Sequence, residues 1–415
     1  MNTWLDGLAM TLQVAVLSMH TSPLAQPGTG DGGGMNVYVR EMATALARAG
    51  VECEVFTRAE SVAAPAVVNV EPGFRVHNVT AGPLQRVPKE HLLDLTGPFA
   101  RAVTQRLRDS AIAPSLIHAN YWLSAVAGHQ LKHELDIPLV TTFHTLARVK
   151  TEANDAEPEV RALNEAASIG CTDMVLANTR VESEDLQRLY GADPSRIEEV
   201  PLGVDHAFFS PGSRAGARAA LKLGSEPLLL YVGRIQPLKG TDLAVATLAA
   251  MKTKNATLMV VGGPSGADGQ VEVDRVHQLA RDLGVADRIR WVEPQPHHLL
   301  STYYRAADVC IVPSRSESFG LVALEAGACG SPVVASNVGG LQTIVDQEST
   351  GYLVDGRDPA AWAHRVDAIL ADTRLAEGMG FNAALRSQRY AWSYTAARLR
   401  RLYSDLTVRS LVNCS

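Results

Sequence analysis

A βα alternation that runs to the middle of the chain and then starts again most limits what this sequence can fold into. Gln13–Leu17 (QVAVL) reads as a buried strand, Met35–Ala49 as a helix stopped by Gly50, and Val51–Thr57 as the next strand. Leu116–Ala119, Pro138–Phe143 and Met174–Ala177 continue the series. Leu228–Val232, Thr257–Val261, Ile289–Trp291, Val309–Val312 and Pro332–Ala335 repeat it. Apolar runs of this length with helices between them predict parallel strands covered on both faces. Two such series predict an α/β chain of two doubly wound, Rossmann-like domains. Pro201–Gly212, with proline and glycine at both ends, predicts the linker, so that residues 1–203 and 204–392 divide the chain. The segment from Asp372 to Ser415 reads as helical, with its arginines on a solvated face.

The chain has 415 residues, enough to bury a core without staples. Its 46% hydrophobic and 20% charged residues exclude a disordered or fibrous chain. A net charge of −6 argues against nucleic-acid binding, which needs a basic face. It leaves room for a local basic pocket that takes a small anion. The five cysteines (Cys53, Cys171, Cys310, Cys329 and Cys414) are odd in number and contain no CxxC pair. That spacing predicts reduced thiols, with neither a disulfide framework nor a zinc site, as suits a cytoplasmic protein. The first twelve residues carry Asp6 and no Lys or Arg, and no apolar run approaches the ~20 residues of a membrane span. Neither a signal peptide nor a transmembrane segment is expected.

Three motifs carry chemistry. The first is GTGDGGGMN (Gly28–Asn36), a glycine-rich loop before a helix, where backbone N–H groups can meet an anion. Gly28, Gly30 and Gly33 match GxGxxG formally. The preceding strand ends about ten residues too early for the dinucleotide fingerprint, however, and no GxxxxGK[ST] occurs. The second is VGRIQPLKG (Val232–Gly240). It puts Arg234 and Lys239 at the carboxyl edge of the second sheet, where two cations suit a diphosphate. The plain alternative is two surface cations on a turn. The third is ESFGLVALE (Glu317–Glu325), read as a helix start after VCIVPS. It predicts the two carboxylates about two turns apart on nearly one helix face, with the N–H groups of Ser318–Leu321 open to an anion. The alternative there is a capping acid and an ordinary helix glutamate.

Together these motifs resemble the retaining GT-B glycosyltransferases, the sugar-nucleotide-dependent family that includes sucrose and mannosyl transferases. SMHTSPLAQPGTGDGGGMNVYV, NYWLS (Asn120–Ser124), FHTLARVK (Phe143–Lys150) and PSRSESFGLVALEAGACGSPVVAS are similar to the members that glycosylate D-inositol 3-phosphate in actinobacterial mycothiol biosynthesis. One departure is that Asn120 stands where a histidine is usual before YWLS. The resemblance implies two Rossmann-like domains facing a cleft, the first binding acceptor and the second the nucleotide sugar. A C-terminal helix, about residues 393–415, would pack back on the first.

For the site, the resemblance implies that Arg234 and Lys239 hold the donor diphosphate, Glu325 the ribose and Glu317 the sugar, alongside Ser318, Phe319, Gly320 and Leu321. Gln295 would meet the uracil through its main chain, and Gln26, Pro27 and Gly34 would close the donor site. His20, Asp31, Gly32, Gly33, Gly34, Met35, Asn36, Lys89, Tyr121, Thr145 and Arg161 correspond to acceptor positions, and His144 to a cleft histidine at the reacting sugar. Lys89, Arg161, Tyr121 and Thr145 form a set suited to a phosphate.

The implied reaction moves N-acetylglucosamine from UDP-N-acetylglucosamine to 1D-myo-inositol 3-phosphate. The UDP-sugar is a substrate, and no cofactor is required. No DxD triad for a catalytic metal is present, although the resemblance allows a peripheral Mg²⁺ on main-chain groups near Tyr304, Arg305 and Ala307. A homodimer is left open. Other readings remain: a relative in antibiotic metabolism with another UDP- or GDP-sugar and a non-phosphorylated acceptor, a sugar-nucleotide epimerase, and a non-enzymatic sugar-nucleotide sensor.

Overall fold

The computed structural model describes residues 12–28, 30, 32–153, 155–265 and 269–414. Eight strands build the first sheet: β1 (Gln13–Leu17), β2 (Glu52–Arg58), β3 (Val67–Glu71), β4 (Phe74–Val79), β5 (Leu116–Asn120), β6 (Leu139–Thr142), β7 (Met174–Ala177) and β8 (Ile197–Glu199). Their order is β3-β4-β2-β1-β5-β6-β7-β8, parallel throughout except for the antiparallel β3–β4 edge. Six strands build the second: β9 (Leu228–Val232), β10 (Thr257–Val261), β11 (Ile289–Val292), β12 (Val309–Val312), β13 (Val333–Ser336) and β14 (Gly351–Val354). They are all parallel, in the order β11-β10-β9-β12-β13-β14.

Strands β5, β6, β7, β12 and β13 are buried at every position, because helices cover both faces of each sheet. That double burial makes them legible as unbroken runs. The sequence reading lacks β3, β4, β8 and β14. β3 is a half-exposed edge strand, and β8 is three residues of Ile-Glu-Glu, so neither carries a buried run.

In each sheet the strand order reverses beside the first strand, between β1 and β5 and between β9 and β12. Loops leaving the two central strands diverge there and open a crevice at the carboxyl edge. The fold therefore places two ligand-ready crevices before any side chain is considered.

Two chain crossings set the sheets against each other. One passes through Pro201–Val204 and the other returns through Tyr390–Trp392. They pair side by side: Val204 N donates to Tyr390 O at 2.8 Å, and the Thr395 hydroxyl donates to Pro201 O at 2.8 Å. The returning helix Trp392–Leu406 packs on helix Gly34–Arg48, and Leu399, Leu402 and Tyr403 share one core with Tyr38, Met42 and Leu46. The Tyr403 hydroxyl also reaches His118 Nδ1 at 2.7 Å.

One sequence expectation is corrected here. Cys171 and Cys414, 243 residues apart, are joined as a disulfide, whereas the other three cysteines are free and buried. Spacing arguments look for neighbouring cysteines and miss a pair formed by a returning tail.

The crossings approach so closely that a Cβ on Gly203 would lie 2.3 Å from the backbone nitrogen of Trp392. Gly203→Ala must push the two strands of chain apart. It is expected to cost about 1–3 kcal/mol, read as a lower urea midpoint by tryptophan fluorescence. An unchanged midpoint contradicts the close approach.

Candidate active site between the two sheets

A cavity of about 580 Å³ lies between the facing carboxyl edges. The first sheet contributes His20 after β1, Tyr121 after β5, His144 and Thr145 after β6, Lys89, Pro27 and the Gly33–Met35 turn. The second contributes Arg234 and Lys239 after β9, Gln295 after β11, and Glu317–Leu321 with Glu325 after β12. Gln26, Gly32, Asn36 and Arg161 do not line the cavity, and Asp31 lies outside the described residues.

On the second-sheet side, Lys239 Nζ donates to Glu317 Oε2 at 2.6 Å. The cation and the first carboxylate of the motif are thus already paired. Gly240 follows at φ +72°, and a Cβ there would fall 2.1 Å from Pro313 O, so only glycine fits between Lys239 and the next helix. Arg234 Nη1 donates to the Ser265 hydroxyl at 3.0 Å, which donates in turn to Gly30 O at 3.2 Å. This chain ties Arg234 to the glycine loop across the cleft.

The expectation that Glu317 and Glu325 share one helix face is corrected. The helix spans Leu321–Ala328 and its N-cap Gly320 has φ +100°, so Glu317 lies in the loop before it. The glycine breaks the helical path. The two carboxylates face the cavity from different backbone segments. Glu325 is held at both oxygens: His297 Nε2 donates to Oε1 at 2.7 Å and the Tyr304 hydroxyl donates to Oε2 at 2.9 Å. Burial lowers the His297 pKa, but the Glu325 charge outweighs it and the net position is raised.

On the first-sheet side, Asn36 is buried and its amide pins the loop. Asn36 Nδ2 donates to the Thr21 hydroxyl (2.8 Å) and Ser22 O (2.6 Å), while Oδ1 accepts from Gly33 N at 2.8 Å. Gln26 Nε2 bridges to Pro294 O of the second sheet at 3.0 Å. The side chain of Gln295 turns back to Glu293 O at 2.9 Å. The Tyr121 ring is the centre of the polar end. Lys89 Nζ stands 4.8 Å and the Arg161 guanidinium 5.1 Å from its centroid, and His20 packs on it at 4.5 Å. Arg161 sits behind this ring. It donates to Glu165 at 2.7 Å and to the Thr145 carbonyl and hydroxyl at 2.8 and 3.0 Å, and it pairs with Glu157 at 3.0 Å. The Tyr121 hydroxyl and His20 Nδ1 are buried with no hydrogen-bond partner among the described residues.

His144 sits at φ +63° and Tyr121 at φ +75°, backbone angles that are costly for bulky residues and that aim both into the cleft. His144 Nε2 donates to Asn120 Oδ1 at 2.9 Å, which leaves Nδ1 as the acceptor of the ring. Burial, then the charges of His118 and His20, hold the His144 pKa down at about 3. His20 is held at about 3 by burial and by Lys89, Arg161 and Arg234. Both rings are neutral at neutral pH.

The side chains of Tyr304 and Arg305 make structural contacts. The Tyr304 hydroxyl is taken by Glu325, and Arg305 donates to Ser210 O (2.7 Å) and Phe208 O (2.6 Å) in the linker. Sequence reasoning missed His297 and Ser265. The signals were present, since His297 stands two residues after Gln295 and Ser265 follows the Gly-Gly-Pro after β10.

Comparison with known proteins bears on this geometry. The model "Glycosyl transferases group 1" matches residues 214–386, and "Glycosyltransferase Family 4" matches residues 32–208. The D-inositol 3-phosphate glycosyltransferase of Xylanimonas cellulosilytica is 46% identical over 412 residues, covering 96% of this chain and 97% of that protein. The D-inositol 3-phosphate glycosyltransferase 2 of Catenulispora acidiphila is 45% identical, covering 94% of each. The chain belongs to this family of GT-B glycosyltransferases. The solved sucrose-phosphate synthase from Thermosynechococcus elongatus superposes with a TM-score of 0.90 at 36% identity, covering 95% of this chain and 99% of that one. Anabaena HepE, solved in complex with UDP-glucose, shares the fold with a TM-score of 0.78 at 20% identity, covering 95% of this chain and 100% of that one.

The neutral histidines of this glycosyltransferase make its stability depend on pH. His20, His118 and His144 all sit at about 3 in the fold, far below their ordinary 6.5. The unfolded chain takes up protons that the folded chain refuses. The stability they contribute is complete above about pH 6.5 and is lost as pH falls toward 3, at up to about 1.4 kcal/mol per pH unit for each histidine. Urea unfolding at pH 7, 6 and 5 should show this slope, and His144→Gln should reduce it by one proton. An equal slope in the variant contradicts the assignment.

Proposed function

We propose that the protein is a retaining glycosyltransferase that transfers N-acetylglucosamine from UDP-N-acetylglucosamine to 1D-myo-inositol 3-phosphate, a step of mycothiol biosynthesis. The observation that carries the reading is one cavity with cations at both ends. Arg234 and Lys239 stand on the second-sheet side, and Lys89, backed by Arg161, stands at Tyr121 on the other. One end suits the donor diphosphate and the other an acceptor phosphate. The relatives named above carry the same substrate in their names.

In this reading residues 1–203 bind the acceptor and residues 204–392 the donor. The acceptor phosphate meets Lys89, the unpartnered Tyr121 hydroxyl and Thr145, with Arg161 holding Thr145 in place. The donor meets Arg234, Lys239, the Ser318–Leu321 N–H groups, and Glu325 at the ribose. Glu317 accepts from sugar hydroxyls while it holds Lys239. Bond making and breaking occur on one face of the sugar. The acceptor oxygen joins C1 as the bond from C1 to the phosphate oxygen breaks, and the acceptor proton passes to that leaving oxygen. No protein base is needed for this transfer, and His144, neutral at working pH, hydrogen-bonds to the sugar. Arg234, Lys239 and the N-terminus of helix Leu321–Ala328 compensate the charge that develops on the diphosphate. A UDP-sugar donor supports a cytoplasmic location.

Arg234→Ala should cost about 1.5–3 kcal/mol of charge-assisted contact, lowering kcat/KM for the donor roughly 10- to 150-fold. Circular dichroism should be unchanged, because the arginine lies on a loop. Calorimetric titration separates the glutamates. Glu325→Gln should weaken binding of free UDP, whereas Glu317→Gln should leave it nearly intact and slow transfer. Loss of UDP binding in Glu317→Gln alone reverses the two roles.

For the acceptor, the ratio of kcat/KM for inositol 3-phosphate to that for free inositol should be large in the parent. In Lys89→Ala it should shrink by roughly 10-fold or more. A parent that uses a neutral cyclitol equally well would move the reading to the secondary-metabolism alternative and leave the donor assignment standing.

A further inference from the structure

Four donor atoms from three parts of the chain converge outside the cleft lining. His129 and His133 stand one turn apart on helix Trp122–Leu135, so both rings share one face. Cys171 is the last residue of helix Glu159–Cys171, and Cys414 lies on the tail beyond helix Trp392–Leu406. One ligand atom from each of the four lies within 4.8 Å of every other. His133 Nε2 is 3.5 Å from Cys171 Sγ, and the two imidazole rings are 5.0 Å apart. Tetrahedral zinc takes sulfur at about 2.3 Å and imidazole nitrogen at about 2.0–2.1 Å, so its ligand atoms stand about 3.3–3.8 Å from one another. The observed separations, none above 4.8 Å, are close to that spacing.

We propose that, with the two thiols reduced, Cys171, Cys414, His129 and His133 form a Zn²⁺ site that fastens the C-terminal tail to the N-terminal half of the chain. The disulfide is the oxidised form of the same two sulfurs. A dithiol reductant supplies two electrons and two protons to open it and is itself oxidised to a disulfide. Zinc then displaces both thiol protons and binds two thiolates and two neutral imidazoles. The charges cancel to zero, which suits a partly buried position beside the buried Lys132–Asp173 pair.

A second observation fixes the tail at the right place. Lys132 Nζ, one residue before His133, donates to Cys171 O at 2.8 Å and Val412 O at 3.0 Å, and pairs with Asp173 at 2.9 Å. Asp173 accepts from Val412 N and Leu139 N, both at 2.7 Å. Both backbone groups of Val412 are therefore bound, and Cys414 is delivered two residues later. This tether holds the tail without a metal, so the zinc ligands meet a preorganised partner. A thiol pair beside two histidines in a reducing compartment is better matched to a metal than to a persistent disulfide.

The test uses the full chain without a polyhistidine tag, purified in a phosphine reductant. Zinc content by plasma mass spectrometry should be about one equivalent per chain. Cobalt(II) titrated into the metal-free parent should give a thiolate-to-cobalt charge-transfer band and the d–d bands of a tetrahedral site. His133→Ala alters an exposed side chain and should fold by circular dichroism, yet hold only trace zinc. Cys414→Ser should do the same. The proposal is overturned if the reduced, folded parent binds neither zinc nor cobalt. It is also overturned if stoichiometric zinc survives in both variants, or if thiol titration finds the Cys171–Cys414 bond intact under the same reductant.

Discussion

The cleft depends on one geometric constraint: two parallel sheets must meet carboxyl edge to carboxyl edge. A parallel sheet puts the ends of all its strands on one side, and a reversal in strand order opens the crevice there. β1 and β5 make that opening in one half, β9 and β12 in the other. The two crossings at Val204 and Ala391 run together as a short parallel bridge and set the two openings against each other. The returning helix Trp392–Leu406 then seals the first half with residues from the far end of the chain. Cavity-lining residues from well-separated stretches of sequence become neighbours as a result.

Electrostatics refine what the fold positions. Three cations, Lys89, Arg161 and Arg234, act on His20 and help to keep it neutral. Lys239 is held by Glu317 and Arg234 by Ser265, so the cations on the second sheet are oriented before a ligand arrives. Preorganised charge of this kind does not need to be rearranged as negative charge develops on a leaving diphosphate. The neutral His144, with its proton fixed on Nε2 by Asn120, adds a hydrogen-bonding group rather than a charge. Asn120 supplies that partner oxygen from a side-chain amide.

Much of this was legible in the sequence, for identifiable reasons. Doubly covered strands such as Leu228–Val232 and Val309–Val312 are apolar throughout, and the structure finds them at the same residues. Arg234 and Lys239 were legible because they follow such a strand at once. The Glu317–Glu325 helix was misjudged, because a spacing of eight fits two turns equally well whether or not Gly320 breaks the path. Arg161 was expected at an acceptor position; its burial behind Thr145 depends on Glu157 and Glu165, partners that no local pattern reveals. His297 and Tyr304 were missed for the same reason, since their importance lies in reaching Glu325 from elsewhere in the chain. The Cys171–Cys414 contact spans 243 residues and depends wholly on the tail's return.

The central claim is that one cavity joins a nucleotide-sugar donor to a phosphorylated cyclitol with retention. Nuclear magnetic resonance of the product formed from UDP-N-acetylglucosamine and 1D-myo-inositol 3-phosphate tests it most directly. The account predicts one new glycosidic bond whose anomeric configuration is the α configuration of the donor, with release of UDP. A β-linked product, or UDP release without a glycosylated inositol phosphate, would contradict it.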